Sequence, residues 1–174
     1  VSSTRSTAFQ FYKEIIKLRP DWEKILPCGE GINLTEEEKK EIMPMPRLKL
    51  IATRSKDDEK ELWEILGTKE YRKKLDKEFK NDRSNFKIAI VVDMWLTGFD
   101  VPSLDTIYID KPIQQHNLIQ TISRVNRKFG EKEKGLVVDY IGIKKQMNLA
   151  LAYYSKSDKK KTHLVLKKCK MIFI

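Results

Sequence analysis

A chain of 174 residues is long enough for one domain with its own core. Hydrophobic residues make up 40% and charged residues 34%, which suits a globular protein in water, and no apolar run approaches the roughly 18 residues of a membrane span. The net charge of +10 favours a polyanionic partner, while Cys28 and Cys169 lie too far apart for a CxxC metal or redox site and suit two free thiols in a reducing cytoplasm.

No signal peptide is recognisable, and an opening at Val1-Ser2-Ser3 rather than Met suits a piece of a longer polypeptide. The charge is uneven. Lys156, Lys159, Lys160, Lys161, Lys167, Lys168 and Lys170 are offset only by Asp158 in the tail. Such a run is either a solvated helix end or a phosphate contact.

Val1 to Thr4 reads as the stub of a strand followed by a turn. Phe9, Tyr12, Ile15 and Ile16 recur at helical spacing, which predicts a helix from about Ser6 to Leu18, stopped by Pro20. Residues 21–46 read as a surface insertion. Within it, Thr35-Glu36-Glu37-Glu38 forms a capping box that opens a short helix. Leu48 to Thr53 is a strand candidate. Ser55 to Asp58 has capping-box form and predicts a helix start there, running to Leu66 and closed by Gly67. A helix over residues 69–80 follows from Tyr71, Leu75 and Phe79. Strands at 86–92 and 106–109, a helix at 114–128, a strand at 135–140 and a last helix from near Ile143 complete the series.

Apolar strands without clean alternation, separated by helices, indicate a parallel sheet buried on both faces. In such sheets function gathers at the carboxyl ends of the strands. Here those ends carry Ser2, Ser3, Thr4 and Arg5, then Thr53-Arg54-Ser55, then residues 93–102. Two of them repeat a strand, Thr-Arg-Ser and helix-start pattern. Hydroxyls and N–H groups in that setting either bind phosphate or merely cap the helix.

Two segments carry the chemistry. In the 114–128 helix, Leu118, Ile122 and Val125 form one stripe, and Gln120, Arg124 and Arg127 form another about 200° away. The first stripe can pack on a sheet while the second points outward. Two guanidinium forks there can grip a triphosphate, or simply form a solvated face. The second segment is Thr97-Gly98-Phe99-Asp100-Val101-Pro102. Gly98 permits a tight turn, Asp100 offers a carboxylate and Pro102 stiffens the exit. Trp22, Trp63 and Trp95 suit core packing, with Trp95 also placed to meet DNA or a partner domain. His116 and His163 lack any ligand spacing, so no metal site is expected.

The ordered set of strand, TGFDVP, strand and Q-x-x-x-R-x-x-R helix has the form of motifs V and VI of superfamily-two helicases and translocases. More specifically, "FKIAIVVDMWLTGFDVPSLDTIYIDKP", "NLIQTISRVNR", "FYKEIIKLRPDW" and "LGTKEYRKKLDKEFK" resemble the restriction (motor) subunit of type I restriction–modification enzymes. The resemblance covers most of residues 1–143 and fades in the Lys-rich tail. It implies an α/β fold: a RecA-like parallel β-sheet flanked by helices over residues 1–142, its first strand truncated, and a helical, Lys-rich C-terminal extension from 143 to 174.

The resemblance further implies the second motor domain of a cytoplasmic prokaryotic endonuclease that couples ATP hydrolysis to translocation of double-stranded DNA. It implies ATP with Mg2+, held mostly by a first RecA-like domain of the same subunit, and partnership with methyltransferase and specificity subunits. Carried over, Arg124 and Arg127 match the γ-phosphate arginines of motif VI and Gln120 its leading Gln. Gly98 and Asp100 match the Gly-x-Asp of motif V. Ser2, Ser3, Arg5 and Thr53 fall at DNA-side positions.

Departures from the wider superfamily are Val92 where Thr is usual, Thr97 where Arg is usual, and Ser123 where Gly is commoner. They leave Thr97 as the candidate for a phosphate-contacting hydroxyl. The chain has no GxxxxGK[ST] loop, no Walker B acid pair and no nuclease site. Alone, it is expected neither to hydrolyse ATP nor to cut DNA. The alternatives are a motor domain of another superfamily-two enzyme, and a basic nucleic-acid-binding module without ATP chemistry.

Overall fold

A computed structural model describes residues 1–95, 98–113, 115–143 and 170–173. The chain divides into two compact units, one of Ser2–Met94 and one of Val1 with residues from Trp95 on.

In the first unit, helix α1 spans Arg5–Leu18. Thr4 caps it, its Oγ1 accepting from Thr7 N at 3.1 Å. Pro20 biases Arg19 out of helical geometry, and a short 3-10 turn, Pro20–Glu23, follows. Strand β1 (Leu48–Ile51) pairs in parallel with β2 (Ile88–Val91), Leu48 opposite Ile88 and Ile51 opposite Val91. Leu48, Leu50 and Ile51 are all about fully buried, as a strand covered on both faces must be. Leu48 and Leu50 pack with Ala8, Phe9 and Tyr12 of α1 and with Leu62 and Leu66 of α3 (Lys60–Leu66). Each such leucine or phenylalanine contributes about 1.5–3 kcal/mol by leaving water.

Gly67 closes α3 at φ 61°, and Thr68 at once caps α4 (Lys69–Lys80) through Tyr71 N, so two helices meet across two residues. The insertion is tied down rather than loose. Leu26 and Met45 exchange backbone bonds of 3.1 and 3.0 Å, and Asn85 Nδ2 donates to Met45 O at 2.8 Å. Helix α2 (Glu36–Glu41) carries the complete capping box that its sequence predicts.

The Ser55–Asp58 box does not open a helix. Asp58 Oδ2 accepts from Ser55 N at 2.5 Å, which is half of the box, but α3 begins only at Lys60 and has no side-chain cap. The reason is that Asp58 is engaged elsewhere. Its other oxygen lies 3.0 Å from Arg5 Nε, and the carboxylate is only 4% exposed.

In the second unit, β3 (Thr106–Ile109), β4 (Leu136–Asp139) and β5 (Lys170–Phe173) form a parallel sheet in the order β3-β4-β5. Val1 runs beside β3, its N donating to Tyr108 O at 2.6 Å and its O accepting from Asp110 N at 3.0 Å. Helix α5 (Gln115–Val125) buries Leu118, Ile122 and Val125 against Ile109, Ile113, Val137 and Ile143. That is the apolar stripe expected of it. Asp139, 2% exposed, ends β4 by accepting from Ile141 N and Ile143 N.

The α/β class and parallel pairing are as expected. The tail differs: residues 170–173, expected within a helical extension, form β5 in register with β4. The helix expected from near Ile143 and most of the Lys-rich run lie outside the described residues.

Candidate nucleotide and nucleic-acid interface

The segment after β2 is conformationally unusual. Asp93 and Trp95 take φ values of 56° and 64°, left-handed geometry that costs a non-glycine residue about 1 kcal/mol or more. The Trp95 ring offsets this by stacking on Phe99, with centroids 4.2 Å apart and planes 3° apart. Gly98 has φ 70° with open space where a β-carbon would sit, so glycine is used there for conformation and not for room. Thr97, expected to supply a hydroxyl, lies outside the described residues.

This loop presents Asp100, whose Oδ2 accepts from Arg127 Nη1 at 2.7 Å. Helix α5 ends at Val125, so Arg127 stands on the turn beyond it and not on the helical stripe that spacing alone predicts. Arg124 remains on the helix, half-buried. Burial pulls its pKa below the ordinary arginine value, Asp100 acts in the opposite sense, and Arg127 adds to the lowering. Asp100 therefore shares its field with two guanidiniums. Arg127 and Asp100 are 50% and 57% exposed. A pair so wet is worth only about 0–1 kcal/mol, so Arg127 can leave Asp100 for another partner at little cost.

Gln120 sits one turn before Arg124, half-buried, and its carbonyl accepts from Ser123 Oγ at 2.7 Å. Two residues that sequence reasoning passed over hold this arrangement. Lys132 Nζ donates to Pro102 O at 3.1 Å and Leu104 O at 2.5 Å, tying the Asp100 loop to the turn after α5. Gly135, at the start of β4, lies against the last residue of α5, where a β-carbon would fall 2.1 Å from Val125 O.

The remaining candidates are in the first unit. Ser2 is 4% exposed, its N donating to Val91 O at 2.9 Å and its Oγ to Thr4 O at 3.5 Å. Ser3 and Thr53 are exposed. Arg5 Nε lies 3.0 Å from Asp58 Oδ1, but its N–H is off-axis, so the contact is an ion pair rather than a hydrogen bond. Arg5 and Asp58 thereby join the start of α1 to the loop after β1. Among the described residues, no three His, Cys, Asp or Glu side chains converge as metal ligands, and no helix is long and apolar enough to cross a membrane.

Comparison with known proteins identifies the family. Residues 3–142 match the family described as type I restriction enzyme subunit R domain 3. The HindI endonuclease subunit of a type I restriction enzyme from Haemophilus influenzae is 36% identical over 160 residues, covering 90% of this chain and 14% of that protein. A Methanocaldococcus jannaschii protein, provisionally named type I restriction enzyme MjaIXP endonuclease subunit, is 45% identical over 160 residues, 92% of this chain and 13% of its own length. A second protein of that organism, provisionally the MjaVIIP endonuclease subunit, is 42% identical over 120 residues, 69% of this chain and 10% of its own. The chain thus spans about a seventh of the length of the first two of these relatives. With the family match covering residues 3–142 and the fold agreeing, this chain belongs to the R subunit family of type I restriction enzymes.

Proposed function

We propose that this chain is the second motor domain of an R subunit that couples ATP hydrolysis to translocation, and thence cleavage, of double-stranded DNA. The observation that carries the reading is the trio of Asp100, Arg124 and Arg127, with its weak, exposed ion pair. Bound ATP with Mg2+ would supply the phosphoryl transfer, with the Mg2+ and most phosphate contacts held by a first motor domain. The residues present fit that partner: two planar forks with one carboxylate between them suit the end of a triphosphate.

In this reading Arg127 exchanges Asp100 for the terminal phosphate and, with Arg124, stabilises the charge that builds there. Gly98 gives the loop its turn, and Asp100 either approaches the ribose or returns to Arg127 once phosphate has gone. Gln120 orients the exposed side of α5. Ser3 and Thr53 offer hydroxyls to a DNA backbone, Thr97 is a further candidate, and Ser2 and Arg5 shape that region. Methyltransferase and specificity subunits complete the assembly, in the cytoplasm of a prokaryote.

The test is steady-state DNA-stimulated ATPase of the full R subunit, assembled with its partners, for wild type, Arg124→Ala and Arg127→Ala. A fall of about 10³-fold with DNA binding retained is expected. Unchanged ATPase with weakened, salt-sensitive DNA binding would instead favour a basic binding module.

A further inference from the structure

The arginines of the described residues are nearly all spoken for. Arg5 faces Asp58, Arg19 faces Asp21, Arg47 faces Glu30, Arg83 faces Glu38, and Arg127 faces Asp100. Arg72 donates to Gly67 O at 3.2 Å. Arg54 differs from all of these. It has neither an ion pair nor a hydrogen bond, and its Nε is buried without a partner. Asp57 and Glu59 stand in the same loop, yet neither pairs with it.

What holds Arg54 is the face of Trp63. The guanidinium carbon sits 4.6 Å from the ring centroid, and Trp63 itself is 39% exposed. A cation–π contact of this kind holds the guanidinium beside the ring while leaving N–H groups able to donate. Two other arginines sit over a tryptophan, Arg19 and Arg47 over Trp22, at 4.8 and 5.9 Å. Both are neutralised by a carboxylate; Arg54 is not.

Position gives the stacked cation a use. Arg54 follows exposed Thr53 at the carboxyl end of β1, the end at which a parallel sheet presents its ligand residues. Asp58 anchors the loop from below by taking Ser55 N and facing Arg5. A cation that is pre-oriented, not locally neutralised and flanked by a hydroxyl is suited to a singly charged phosphodiester.

We propose that Arg54, held on Trp63, is a phosphodiester ligand for a nucleic-acid backbone, and that Arg5 and Asp58 position its loop. This rests on the nucleic-acid reading above. Arg5 then serves the backbone through Asp58, and the direct contact falls to Arg54, the arginine of the second Thr-Arg-Ser strand end.

The experiment is equilibrium binding of the full R subunit, in its complex, to a short DNA duplex lacking a recognition sequence, across a KCl series. Loss of one phosphate contact lowers the slope of log affinity against log salt by about 0.9. A fourfold rise in salt therefore weakens Arg54→Ala about 3.5-fold less than wild type. Arg54→Lys keeps the charge and should keep the slope, while Arg54→Gln, which loses the charge but keeps much of the side chain, should lower it and stands in if the Ala variant fails to fold. Arg19→Ala, stacked but already neutralised, should leave the slope alone. An unchanged slope in Arg54→Ala, or an equal change in Arg19→Ala, overturns the assignment. A flat salt response in wild type would sink the nucleic-acid reading itself, which separates the two failures.

Discussion

Gly135→Ala is the substitution whose outcome the packing defines most sharply. Gly135 does not need glycine for its backbone angles. It needs glycine because an added Cβ would meet Val125 O at 2.1 Å, Val125 C at 2.5 Å and Val125 Cβ at 2.7 Å. Two of these are main-chain atoms, so no rotamer change relieves them. Reaching ordinary contact at 3.4 Å requires the end of α5 to move about 1.3 Å from the start of β4. Val125 is fully buried beside Ile122 and Leu118, so the movement opens the core of the second unit. Overpacking typically costs about 1–3 kcal/mol, and the backbone clash puts this case at about 3 kcal/mol. Urea denaturation should then show a midpoint lower by about 1–2 M with the slope unchanged. A midpoint within about 0.3 M of wild type would refute the packing argument. The displacement would also carry Arg124, so a stable Gly135→Ala variant with altered ATPase is consistent only if α5 is shown to have shifted.

Two further outcomes follow from single contacts. Asp58→Ala removes a buried acceptor from Ser55 N and the partner of Arg5, and should destabilise by about 2 kcal/mol; a loss under about 0.5 kcal/mol in chemical denaturation would show the carboxylate to be incidental. Glu38 has its pKa lowered by the Thr35 N–H first, then by Arg83 and the Thr35 hydroxyl. A lowered folded pKa gives stability that is present above the unfolded carboxylate range and is lost as pH falls through the folded value. The melting temperature should fall on acidification from about pH 7 to about pH 3 less steeply in Glu38→Gln than in wild type, and parallel curves would contradict this.

What could be read from the residues, and what could not, divides by locality. The α5 core stripe was legible because Leu118, Ile122 and Val125 repeat at helical spacing, and the α3–α4 junction because Gly67 stops one helix and Tyr71, Leu75 and Phe79 set the period of the next. The Ser55–Asp58 pattern misled because the same four-residue signature serves a turn when its acid is claimed by distant Arg5. Strand β5 was missed because its membership depends on pairing with β4, and its flank is dominated by lysines.

In the candidate site, the pairing of motif V with motif VI was visible as residue types, and Asp100 and Arg127 do meet. The exact perch of Arg127, past the end of α5, was not visible, since helix ends fray independently of hydrophobic period. Lys132, Gly135 and the Arg54–Trp63 stack were beyond reach for the same reason: each acts on a partner that only the folded chain brings near.

The central claim is that Arg127 acts on the phosphate of bound ATP. Single-turnover hydrolysis tests it most directly, with ATP pre-bound to the full R subunit in its complex and chemistry started by adding DNA, wild type against Arg127→Ala. The account predicts that ATP and DNA still bind and that the hydrolytic step slows by about 10³-fold. An undiminished hydrolytic rate, with any defect confined to DNA affinity, would contradict it.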